Sequence, residues 1–242
     1  MGRQRNSKLV GTVRNIIFYN LHGEYYMRAK PTVVKQTKSS VHSSSNFGKA
    51  SKICKQIRNL VDPINPAKSD QFLMYRLTGA LNKFISWKEK KDTASVVMPK
   101  KLPFIYRFQF NDQADLSVIR TIEPVVISTT PGVTEINFAP VIPSQSLHAP
   151  TNTANISLKM MLIATNLNDT QTKLLGKSEI EIPFTKETFQ IPPIASDAPI
   201  QSGDLVMLVA TVQYIVNKNG DVEVVKDKKK QPCGITWAAI NL

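Results

Sequence analysis

"LVMLVATVQYIV", residues 205–216, is apolar at nearly every position. Successive side chains of a strand point to opposite faces, so a strand made of this run has no wet side. It belongs in the middle of a sheet that is covered on both faces. Its strongly apolar part, 205–212, has the length of one strand and is too short to span a bilayer.

The segments around it read as further strands: "FIYRFQF" (104–110), "LSVIRTI" (116–122), "VVIST" (125–129), "TEINFAP" (134–140), "ISLKMMLIAT" (156–165), "KSEIEIPF" (177–184), "DVEVV" (221–225) and "ITWAAINL" (235–242). Turn signals separate them, among them "TTPG" (129–132), "NLND" (166–169) and Asn219-Gly220. "KSEIEIPF" alternates strictly, as a strand with one solvated face does. Many short strands with Pro-rich connections predict an antiparallel β-sandwich, Ig-like or jelly-roll-like, over residues 93–242. No internal repeat of fixed period is present.

Upstream the period changes. Phe47, Ala50, Ile53, Cys54, Ile57, Leu60 and Val61 recur at three- and four-residue steps, with Lys49, Lys52, Lys55 and Arg58 between them. A second stripe, Leu73, Leu77, Ala80, Leu81, Phe84 and Ile85, follows Ser69 and Asp70, which are cap candidates. The short connection "DPINP" makes the pair an αα-hairpin over residues 47–92. Residues 1–46 form an arm. "MGRQRNSKLVG" is polar and basic and is expected to be loosely held unless a partner orders it; "TVRNIIFYNL-HG-EYYMRAKP" predicts a β-hairpin turning at Gly23 and stopped by Pro31. "KQTKSSVHSSSN" (35–46) reads as a flexible Ser-rich linker. The overall expectation is a mainly β protein in which a hairpin arm and an αα-hairpin precede a sandwich.

Charge is distributed unevenly. The chain carries +13 overall, and residues 1–60 hold twelve lysines and arginines against a single acid, Glu24. Residues 116–242 are nearly balanced. A cationic quarter ahead of a neutral body suggests a polyanionic partner for the arm, nucleic acid being the simplest. The contacts would come from Arg3, Arg5, Lys8, Arg14, Arg28, Lys30, Lys49, Lys52, Lys55 and Arg58.

Catalytic signatures do not emerge. There is no Gly-rich phosphate loop, nucleophile elbow or metal-protease helix motif. His22, His42 and His148 fall in a turn, a Ser-rich stretch and a Pro/Asn loop. Cys54 and Cys233 match no ligand spacing and fit a reducing compartment. Cys54 lies on the helix stripe as a small core residue. Glu179 and Glu181 read as a solvated strand face, and "KDKKK" (226–230) as a solvated hairpin end. The expectation is no enzyme, cofactor or metal.

Apolar and aromatic residues on both sides of the hairpin, Ile17, Phe18, Tyr19, Tyr25 and Tyr26, suit an anchor that buries itself between surfaces. The alternative is a stacking platform for unpaired bases.

"GTVRNIIFYNLHGEYYMRAKP" followed by "NFGKASKI" also resembles the N-terminal signature of a family of uncharacterised proteins from Bacteroidota. That family has a G-x-V-G-N-hydrophobic stretch, an aromatic, a Gly-bearing turn, an Arg-x-x-Pro ending and a helix opening with Phe-Gly-x-Ala. Gly11, Val13, Asn15, Tyr19, Gly23, Arg28, Pro31, Phe47, Gly48 and Ala50 fit, while Arg14 stands where glycine is usual. The resemblance covers about the first quarter of the chain. It implies a C-terminal β-sandwich and no established activity.

The functional expectation is a structural subunit that forms a homo-oligomer or larger assembly, such as a phage- or virion-like capsid or tail component. The alternative is a cytoplasmic nucleic-acid-binding protein acting through residues 1–60. With no signal peptide and no membrane span, the sequence reads as synthesised in the cytoplasm, which argues against an exported adhesion module.

Overall fold

The computed structural model describes residues 3–5, 8–32, 35–65, 70, 72–93, 101–119, 122, 124–130, 133–218 and 221–240. Pro131-Gly132, Asn219-Gly220 and Ser69, read above as two turns and a cap, lie outside them. The protein is mainly β and antiparallel. It divides into two compact units, residues 1–43 and 44–242.

In the larger unit the run that opens the sequence argument becomes the central strand. β10 (Leu205–Lys218) pairs with β7 (Thr153–Thr165) along one edge. Along the other edge it pairs with β12 (Cys233–Ile240) over its first half and β11 (Asp221–Val224) over its second. β7 pairs in turn with β8 (Thr172–Pro183). The faces of β10 feed two different cores. Leu205, Met207 and Val209 enter the first core, whereas Val206, Leu208, Ala210, Val212 and Tyr214 enter the second.

The first core is closed by two helices. α1 (Lys38–Val61) buries Asn46, Ala50, Ile53, Cys54, Ile57 and Val61, a stripe at helical spacing. α2 (Leu73–Thr93) contributes Leu77, Leu81, Phe84 and Ile85. Asn46 Nδ2 donates to Glu89 Oε2 at 2.8 Å, tying one helix to the other. The helices and the sheet therefore share one core, so segments 47–92 and 93–242 lie within a single unit. The second core lies between the five-stranded sheet and a three-stranded sheet of β5 (Pro124–Thr130), β6 (Val133–Phe138) and β9 (Ile194–Ala195). Two sheets facing each other across a core make this half sandwich-like. A single helical turn, α3 (Pro143–Ser146), lies between β6 and β7.

Three local expectations are corrected. Residues 38–46 are the first turns of α1 and not a flexible linker. The Thr37 hydroxyl accepts from the Ser40 amide at 3.1 Å, supplying the N-terminal cap, and serine-rich composition does not distinguish a solvated helix from a linker. Second, "FIYRFQF" forms turns and not a strand. Phe104 (φ 67°) and Arg107 (φ 60°) are left-handed, which breaks the alternation, while Leu102, Ile105 and Phe110 plug the first core. The segment still docks through its backbone. Arg107 N donates to Ile235 O (3.0 Å), Ile235 N to Phe108 O (2.8 Å) and Phe110 N to Cys233 O (2.8 Å). Arg76 of α2 adds a bond to Gln109 O (2.9 Å), pairs with Asp70 and lies over the Phe108 ring. Third, Leu116–Ile119 is a 3-10 turn, and Leu116, Ile119 and Ile122 reach the second core at steps of three.

β12 contains an irregularity that serves this docking. Leu208 pairs with Trp237 but Val209 pairs with Ile235, so Thr236 is an extra residue. It lets Cys233, Ile235 and Ala238 all face the first core. Beside it, a Cβ on Gly234 would sit 2.7 Å from Phe108 O and 2.6 Å from a Leu116 methyl. Gly234→Ala therefore forces the 107–110 segment away from β12. The expected loss is about 1–3 kcal/mol, read as a lower urea midpoint with an unchanged slope.

Candidate interaction surface

The smaller unit is built from short β-rich runs broken by turns. β1 (Arg3–Arg5), β2 (Lys8–Val13), β3 (Ile16–Leu21) and β4 (Glu24–Ala29) form a four-stranded antiparallel meander in that order. It is larger than the expected hairpin. The basic N-terminal segment, read as loosely held, supplies β1 and part of β2, with Arg3 opposite Val10 and Arg5 opposite Lys8. Val13 pairs with Ile16 across Arg14 and Asn15, so the run read as one strand contains a two-residue turn. Arg14 takes φ 51° there, a conformation that favours glycine. The second turn is formed by His22 (φ 53°) and Gly23 (φ 89°), a type I′ pattern, and the Asn20 side-chain oxygen accepts from Gly23 N at 3.2 Å.

Register sorts the side chains of β3 and β4 into two sets. Ile16, Phe18, Asn20, Tyr25, Met27 and Ala29 share one face, which carries no charge. Ile17, Tyr19, Leu21, Glu24, Tyr26 and Arg28 share the other. The five expected anchor residues are thereby split, Phe18 and Tyr25 on one side, Ile17, Tyr19 and Tyr26 on the other. Tyr19 and Tyr26 stack with centroids 5.7 Å apart, and the Arg28 guanidinium lies 5.7 Å from the Tyr19 centroid. Ile17, Phe18 and Tyr19 are half-buried, Tyr25 and Tyr26 are 44% and 47% exposed, and Met27 is 70% exposed. Among the described side chains of residues 9–45 none is buried.

The expected cations fall into separate groups. Arg14, Arg28 and Lys30 are exposed on the meander, and Lys30 N donates to Asn15 O at 2.6 Å. Lys52 and Lys55 are exposed on α1, while Lys49 and Arg58 are half-buried there. Arg58 also lines a polar cavity of about 330 Å³ with Asn59, Asp62, Asn65 and Asp70.

Groups capable of chemistry are few in the described residues. No three His, Cys, Asp or Glu side chains come together as a metal site requires. Among the described residues no helix is long and apolar enough to cross a membrane. Burial pushes the Cys54 thiol up from its ordinary value and the Cys233 thiol up to about 12, so neither is a thiolate nucleophile near neutral pH. Lys159 pairs with Glu179 across β7 and β8 at 2.8 Å, on a solvated face. Sequence reading missed the cavity beside the 228–230 turn, which forms from residues far apart in the chain.

No protein-family model matches the chain, and no curated protein sequence matches it.

Two outcomes follow. Arg14→Gly relieves a left-handed arginine and stabilises the meander by about 1 kcal/mol, seen as slower amide exchange over residues 16–29. Both cysteines resist a disulfide reagent at pH 8 in the native protein and react fully once urea unfolds it.

Proposed function

We propose that this chain is a non-enzymatic structural subunit whose meander clamps a neighbouring subunit in an assembly, a capsid or tail component of a phage- or virion-like particle being the most concrete form. The observation that carries the reading is the meander itself: a four-stranded sheet with no buried side chain among those described, and large apolar residues exposed on both faces. A small sheet gains independent stability from packing an apolar face against something. Apolar surface of this kind marks protein–protein contact. The uncharged Phe18/Tyr25/Met27 face suits burial, because no ionic group has to be desolvated there. Charge balance over residues 116–242 also lets copies approach without strong mutual repulsion.

The second reading, nucleic-acid binding through the arm, is favoured by the Tyr19–Tyr26 stack with Arg28 beside it, since bases stack on aromatic rings while cations hold phosphate.

Light scattering across a size-exclusion peak of the full-length chain, with absorbance at 260 and 280 nm, tests both. The expected result is a defined multi-subunit particle without excess 260 nm absorbance, which Met27→Glu converts to smaller species. A monomer at every concentration, or a particle indifferent to Met27→Glu, sinks the clamp. A peak rich in 260 nm absorbance that falls apart in high salt makes nucleic acid the arm's ligand.

A further inference from the structure

The lysine run at 226–230 reads in sequence as a solvated hairpin end, yet its backbone is pinned from beneath. Asn111, 2% exposed, donates through Nδ2 to both Lys228 O (2.7 Å) and Gln231 O (2.8 Å). Gln231, 4% exposed, donates to Val225 O at 2.5 Å, and the Asp227 carboxylate accepts from Lys229 N at 3.0 Å. Thr211 Oγ1 and Val212 N both donate to Pro232 O, at 3.0 and 3.2 Å. A lysine turn held this way presents its side chains from a fixed base.

That turn forms one wall of a cavity of about 270 Å³. The segment His148–Pro150 also lines it, and it too is anchored. The Tyr214 hydroxyl donates to His148 O at 2.7 Å, and Thr153 Oγ1 to Pro150 O at 2.7 Å. The cavity has a predominantly apolar lining, with Tyr214, Ala149, Pro150 and Pro232 in it, and Lys229, Lys230 and His148 also line it. Among the described residues Asp115 is the one carboxylate in the lining, and it accepts from the amide and hydroxyl of Ser117. The volume lies just under the roughly 300–1,000 Å³ of pockets that take drug-sized ligands. A mostly apolar lining with a few polar residues in it is the usual form of a small-molecule site. Two lysines in the lining favour an anion, and phosphate is an anion that lysine holds as a point charge.

We propose that this cavity binds a small phosphorylated ligand with a flat apolar ring, the phosphate held by Lys229 and Lys230 and the ring seated among Ala149, Pro150, Pro232 and Tyr214. The lining residues named all belong to the larger unit.

The test is calorimetric titration of the full chain with phenyl phosphate, and with inorganic phosphate and phenol as its two halves. Phenyl phosphate is expected to bind at least tenfold tighter than either half. The double variant Lys229→Gln, Lys230→Gln is expected to weaken it tenfold or more, while Lys226→Gln, outside the cavity, leaves it unchanged. Ala149→Leu fills the cavity, reducing phenyl phosphate to the affinity of phosphate alone. Uridine monophosphate and a 5′-phosphorylated oligouridylate, run in parallel on the native chain and the double variant, separate a free nucleotide from a strand end; cavity-dependent binding of either supports the site. Phenyl phosphate binding no tighter than phosphate, or binding untouched by the double variant, overturns it.

Discussion

Met207 and Leu208 are neighbours in the chain, yet they lie in different cores. That division is the constraint on which the larger unit depends. A strand with apolar residues on both faces needs cover on both. Each large aliphatic side chain moved out of water contributes roughly 1.5–3 kcal/mol, so leaving either face of β10 wet would forfeit several such terms at once. The helices answer one face and the three-stranded sheet the other. The hydroxyl at Thr211 is no exception, because this residue is fully buried and its hydroxyl donates to Pro232 O. A buried polar group that finds its acceptor costs little; unpaired, it would cost as much as a core cavity.

The meander obeys the opposite logic. It has strand pairing, two tight turns and a stacked tyrosine pair, but its described side chains enclose no interior. Hydrogen bonds between strands contribute modestly when water competes for the same groups. A small sheet of this kind gains independent stability by packing an apolar face against something else. Its two faces then differ in what they offer: one is uncharged, the other pairs aromatic rings with an arginine. A single small element thus presents distinct chemistry to either side, and that is why the same residues support both a clamp and a stacking reading.

Much of the larger unit was legible because its periods are unambiguous. β7, β8 and β10 were found from alternation or from unbroken apolarity, and the stripes of α1 and α2 from their three- and four-residue steps. What escaped had no such signal. Phe104 and Arg107 are left-handed although neither residue type favours it, so "FIYRFQF" looks like a strand in everything but its backbone. The Arg14-Asn15 turn was hidden for the same reason, an arginine occupying a glycine's conformation. The start of α1 was lost to composition, since serine is common in loops and tolerated in solvated helix turns. The cavity at the lysine turn was invisible because it depends on Asn111, His148 and Tyr214, which only the finished fold brings beside Lys229.

The way β12 closes the first core bears on how the protein is made. Cys233, Ile235 and Ala238 form part of the wall against which the helices pack, and the same strand holds the 107–110 segment in place. Contacts this distant in sequence form late, because the intervening loop must first be closed. During synthesis the apolar stripes of α1 and α2 emerge well before that strand exists. At ordinary elongation rates the interval is on the order of ten seconds. For that time the nascent chain carries two amphipathic helices whose shared apolar surface still lacks the cover that β12 later supplies.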